Sequence, residues 1–106
     1  MGVDLEKVAS SFNCSVIDVK ELLVNVVVQV SSFIDILEIA VSSSDFSSID
    51  ISIDMIIHEI NHFELVDILD SVNSLSVSSS NRDIDEVLVS FDKLKSSFNE
   101  LKLIVS

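Results

Sequence analysis

The chain has 106 residues, with 18 Asp and Glu against 6 Lys and Arg and a formal net charge of −12. A surface this acidic repels phosphate backbones and anionic membranes, which argues against nucleic-acid binding. The length fits one domain, so residues 1–106 are predicted to fold as a single unit.

A short N-terminal helix is predicted over residues 3–12, where apolar side chains recur at helical spacing. Asn13 and Cys14 interrupt that spacing. The single cysteine excludes an internal disulfide framework and suits a reducing compartment, so a cytoplasmic location is predicted.

A long second helix is predicted over residues 16–41. Ser15 followed by Asp18 has the spacing of a capping box, and apolar residues then recur at alternating steps of three and four. Residues 24–30 are rich in β-branched side chains, so a strand is an alternative prediction for this segment. Asp35, among other polar residues, interrupts the apolar run, and a charge in a spanning helix costs about 2.5–3.5 kcal/mol. We therefore predict no membrane span.

A third helix is predicted over residues 46–75, after a loop at residues 42–45 in which Ser44 or Asp45 is the N-cap. Apolar and polar residues alternate strictly within residues 46–54, so a strand is an alternative prediction there. A bend is expected near residues 61–65. The helix carries two apolar stripes on nearly opposite faces. The first stripe is Ile49, Ile53, Ile56, Ile60 and Phe63; the second is Ile51, Met55, His58, His62, Leu65, Leu69 and Val72.

A serine-rich loop is predicted at residues 76–80, followed by a fourth helix that reaches Val105. Short loops between long helices imply antiparallel neighbours. The predicted fold is all-α, an up-down antiparallel bundle of one short and three long helices. Because a helix with two apolar faces needs a second neighbour, and 48 % of the residues are hydrophobic, we expect a homodimer.

One motif suggests chemistry. His58-Glu59-Ile60-Asn61-His62 matches HExxH and resembles the zinc signature of metallopeptidases. The resemblance implies a Zn²⁺ held by His58 and His62, with Glu86, or else Asp54, as third ligand and Glu59 as general base. Such enzymes need a substrate cleft, and the sequence predicts none. Two histidines at seam positions, or haem ligands between facing helices, are alternatives, and no enzyme activity is predicted.

The acidity is concentrated in the middle of the chain. Between Lys20 and Arg82 there is no Lys or Arg, whereas Asp and Glu occur throughout that span. Such a surface attracts basic proteins. Pro, Thr, Tyr and Trp are absent beside 21 Ser, a restricted set that is typical of an artificial library or design, although a biased natural lineage also produces it.

We therefore expect an acidic, self-associating structural or protein-interaction module. The alternatives are a metal or haem site at His58 and His62, and an inhibitor or decoy that binds a basic partner protein.

Overall fold

The computed structural model describes residues 5–61, 63 and 65–105, with only the backbone of Ser11, and this part of the chain contains helices and no strand. The helices are α1 (Leu5–Phe12), α2 (Val16–Ser42), α3 (Phe46–Ile60), α4 (Val66–Ser80) and α5 (Ile84–Val105). The all-α prediction is confirmed. The two segments for which a strand was the alternative prediction, residues 24–30 and 46–54, lie in α2 and α3. Val3, predicted in the first helix, lies outside the described residues.

The middle segment is the main correction. Residues 46–75 were predicted to form one helix with a bend near residues 61–65. The interruption lies there, but it separates two helices, since α3 ends at Ile60 and α4 begins at Val66. The break lies where the first apolar stripe ends. Phe63 is its last member, and Asp67 occupies the next position on the same helical face. Turning there allows Leu65, which is 2 % exposed, to enter the core instead of facing a second chain.

The serine-rich loop predicted at residues 76–80 is wrong as well, because that segment is the last part of α4. Serine hydroxyls bond back to the preceding turn of the helix, and Ser78 Oγ donates to the Ser74 carbonyl over 3.0 Å. Ser78 and Ser79 are buried. Here the small serine side chains are part of the contact between helices, and the connection lies at residues 81–83.

Three helices end in the same motif without glycine. Asn13, Ser44 and Arg82 have positive φ of 56°, 51° and 55°. In each case the next residue's N–H bonds to a carbonyl five residues back, as in Asp45 to Ala40 over 2.9 Å. This is the Schellman arrangement, in which glycine is the usual residue. The chain's only glycine is Gly2, so other residues adopt the left-handed conformation.

Helix contacts form a closed series. α2 contacts α3 and α5, α4 contacts the same two helices, and α1 packs on α2. α4 and α5 run in opposite directions, since the Ser78 hydroxyl lies 3.3 Å from that of Ser90 and the Ser71 hydroxyl lies 3.3 Å from that of Ser97.

α3 and α4 form a helical hairpin. Ser79 Oγ donates to Asp50 Oδ1 over 2.6 Å, which sets the register between the two helices. Counting eight residues onward from Asp50 and eight back from Ser79 puts His58 level with Ser71. The core inside these helices is almost wholly aliphatic, and its largest fully buried side chains include Leu23, Leu37, Ile49, Ile53, Ile56, Ile60, Leu75, Leu94 and Leu101.

Candidate functional site

The predicted metal ligands lie at different places. His58 is exposed on α3 and lines a shallow groove of about 310 Å³ between α2 and α3, which Asp54 also lines. His62 lies outside the described residues. The structure thus brings together His58 and the alternative ligand Asp54, one helical turn apart on the same face.

Glu86 is far from this pair. It is exposed in the first turn of α5, where its N–H bonds to Asp83 Oδ1 over 3.3 Å. His58 is level with Ser71 and therefore with Ser97 of α5, eleven residues after Glu86. At 1.5 Å per residue the separation along the helix axis is about 16 Å. Within the described residues no three His, Cys, Asp or Glu side chains are grouped to hold a metal ion. The zinc hypothesis stays a prediction.

The groove beside His58 is partly apolar. Phe33 of α2 faces Met55 and Ile51 of α3 across it, and Asp54 and Glu59 lie along its α3 side. Phe33 and Met55 are half-buried, whereas Ile51 is 59 % exposed. This groove was not predicted from the sequence, because the packing of α2 on α3 was needed to place Phe33 beside the second stripe.

A second groove, of about 530 Å³, lies between α4 and α5. Its lining is polar: Asp67, Asp70, Ser71, Asp92, Lys93, Ser96, Ser97 and Glu100. Its carboxylates are accompanied by Lys93 and by three serines, so it is a solvated acidic surface.

α2 exposes an apolar row that the sequence analysis missed. Ile17, Val24, Val28 and Ile39 share its solvent-facing side and are 70 %, 42 %, 60 % and 69 % exposed. The sequence contains a signal for this row, because α2 has apolar residues on every side and not only in its buried stripe. α2 is long and apolar enough to cross a membrane, a property that it shares with buried core helices of soluble proteins and with signal sequences, and 28 % of its most apolar window is buried.

One ionisable group in the described residues has a clearly shifted pKa. Asp45 is the N-cap of α3, and its carboxylate accepts hydrogen bonds from the Ser48 hydroxyl over 2.8 Å and from the Ser48 N–H over 3.2 Å. These bonds, the hydroxyl first, lower the pKa of Asp45 below its ordinary value of 3.8. The role is structural, because Asp45 lies at a helix start outside both grooves.

Comparison of the chain with protein-family models, curated proteins and solved structures finds no match.

Proposed function

We propose that the chain is a non-catalytic structural or protein-interaction module, an up-down antiparallel helical bundle that self-associates through the exposed side of α2. The observation that carries the proposal is the apolar row of Ile17, Val24, Val28 and Ile39. The exposed Glu21 and Asp35 also lie between these residues by helical spacing. Exposed apolar rows on helices are typical of surfaces that pair with another protein.

The surface area is that of a compact monomer, so association would use a surface patch and not a core shared between two chains. The chain exposes 5981 Å², and a compact monomer of its 11.7 kDa exposes about 5,900 Å². The second stripe of the middle segment, which predicted a homodimer, is partly covered within one chain. The turn between α3 and α4 buries Leu65 and Val72 of that stripe, so the exposed side of α2 is the surface proposed to pair with a second chain.

Salt dependence gives the proposal a sharp test. Two chains of net charge −12 repel each other, so screening by salt should strengthen their association. Sedimentation equilibrium should therefore show more dimer at high salt than at low salt. A molecular mass that stays that of the monomer at every concentration and salt level would contradict the proposal.

Matched variants locate the surface. Val24→Ser with Val28→Ser should weaken dimerisation by about tenfold or more, because two apolar contacts are lost. The control is Val77→Ser with Val89→Ser, since these valines are 61 % and 57 % exposed on α4 and α5. Equal weakening by the control pair would show that general hydrophobicity, and not the α2 row, drives association.

We also propose that the chain has no resident cofactor. We further propose a cytoplasmic location, where the reducing environment keeps the half-buried Cys14 thiol reduced.

A zinc site at His58 is the second candidate function. The observation in its favour is that Asp54 and His58 line one groove a helical turn apart, a spacing that lets two side chains share an ion. Calorimetric titration with Zn²⁺ tests it. Binding that is lost in both His58→Ala and His62→Ala supports the site, and unchanged binding in these variants contradicts it.

A further inference from the structure

The groove between α2 and α3 is open to solvent and has a volume of about 310 Å³. Its apolar members come from both helices, Phe33 from α2 and Ile51 and Met55 from α3. Ile36 of α2, three residues after Phe33, is 48 % exposed. A groove between two packed helices that is lined by apolar side chains can bind the apolar face of a third helix.

The groove is lined by carboxylates and, among the described residues, by no lysine or arginine. Asp54 and Glu59 lie on its α3 side, and neither α3 nor α4 contains a Lys or Arg. The cations of α5, such as Lys95, are on a helix that does not contact α3 within the described part of the chain. A helix seated in the groove therefore meets the carboxylates of Asp54 and Glu59. Arg82, in the connection between α4 and α5, lies 3.5 Å from Asp50, one helical turn before Asp54, and is already paired there.

We propose that this groove binds a basic amphipathic helix of a partner protein, with apolar residues at helical spacing and Lys or Arg beside them. Charge complementarity selects this occupant. A second copy of the chain has a net charge of −12 and would place further carboxylates against Asp54 and Glu59. The site is separate from the solvent-facing row on α2, so it does not depend on self-association.

The test uses a fluorescent, synthetic Leu/Lys peptide with leucine at helical spacing as the probe, and a Leu/Glu peptide of equal length as its control. Anisotropy should show binding of the Leu/Lys peptide alone, weaker at high salt because screening reduces the attraction. The proposal is overturned if the two peptides bind equally or if neither binds.

Matched variants of the full chain identify the surface. Ile51→Ala and Asp54→Asn should each weaken peptide binding by about fivefold, equivalent to about 1 kcal/mol. Ile39→Ala and Asp70→Asn are the controls, because they remove an isoleucine that is at least as exposed as Ile51 and an exposed carboxylate elsewhere. Their expected effect is below about twofold. Equal effects in the controls would show that net charge alone attracts the peptide and would overturn the assignment.

The outcome for self-association is read separately. If Ile51→Ala lowers dimerisation in sedimentation and leaves peptide binding unchanged, the groove receives a second copy and the proposal fails. If Val24→Ser with Val28→Ser leaves the molecular mass unchanged, the α2 row fails as an interface, and the peptide titration still decides the groove.

Discussion

The Ser79 hydroxyl on α4 donates a 2.6 Å hydrogen bond to Oδ1 of Asp50 on α3. Ser79 is fully buried, whereas the Asp50 side chain is 45 % exposed and its other oxygen lies 3.5 Å from Arg82 Nη1. Arg82 in turn lies over the Phe46 ring at 5.1 Å. The bond therefore joins the end of α4 to the start of α3, at the opposite end of the hairpin from its turn.

The first prediction concerns this bond. Ser79→Ala should lower the free energy of unfolding by about 1–2 kcal/mol, below the full value for a bond to a charged group because water can reach Asp50. Urea denaturation measures the loss. The neighbouring Ser80→Ala, at an exposed position, should change stability by less than about 0.5 kcal/mol.

A double-mutant cycle separates the bond from general effects of truncation. Ser79→Ala should have little further effect once Asp50 is alanine, giving a coupling energy of about 1 kcal/mol. Additive losses in the cycle would show that the two side chains do not interact in solution.

The second prediction tests the turn between α3 and α4. Leu65→Ala should cost about 2–5 kcal/mol in the monomer, because Leu65 is 2 % exposed and its removal leaves a cavity. Leu88→Ala on α5 is the matched control, since Leu88 is 47 % exposed, and it should cost less than about 1 kcal/mol. If residues 46–75 formed one continuous helix, Leu65→Ala would leave monomer stability nearly unchanged and would alter dimerisation instead.

The third prediction concerns backbone strain after α2. Ser44 has φ 51°, a conformation that disfavours a residue with Cβ by about 1–2 kcal/mol. Ser44→Gly removes this penalty and adds about 0.5–1 kcal/mol of entropy cost. We expect a net gain of about 0.5–1 kcal/mol in thermal or urea unfolding.

The adjacent residue provides the control for this substitution. Ser43 has φ −92° and ψ −1°, so Ser43→Gly relieves no strain and should destabilise by about 0.5–1 kcal/mol. The same sign for both glycine variants would rule out strain at Ser44.

The fourth prediction concerns pH. Because hydrogen bonds from Ser48 lower the pKa of Asp45 in the folded chain, this carboxylate stabilises the fold above the unfolded value of 3.8. That stabilisation is lost as the pH falls through the lower folded pKa. The urea midpoint of the wild type should approach that of Asp45→Asn as the solution is acidified below pH 3.8, since Asn also caps a helix.

The cause of the shift is checked by NMR titration of the Asp45 carboxyl. Ser48→Ala removes the largest contribution, so the pKa of Asp45 should rise toward 3.8. Ser47→Ala keeps the backbone donors and should leave it lowered. No change in Ser48→Ala would show that the hydroxyl is not responsible.

Local chemistry in the sequence was enough to predict several features. Ser15 caps α2 by accepting from the Asp18 N–H over 3.2 Å, as the capping-box spacing indicated. Asp45 was one of the two predicted caps of α3, and the observed α2 spans Val16–Ser42 against a predicted 16–41. These features depend on residues within a few positions of each other, so the linear order contains the information.

The sequence by itself determined that the chain is helical and which stripe of α2 is buried, because apolar spacing reports the face that leaves water. The end of the first apolar stripe located a bend near residues 61–65, and only the tertiary structure decided that the chain turns back there and starts a separate helix. No glycine or proline marks that turn, and Leu65 enters the core only when α4 packs between α3 and α5. The same packing keeps Ser78 and Ser79 inside a helix, puts Phe33 beside Ile51, and leaves Ile17 and Val28 exposed. These outcomes depend on contacts between residues distant in the chain, and periodicity along one helix does not specify which neighbour covers each face.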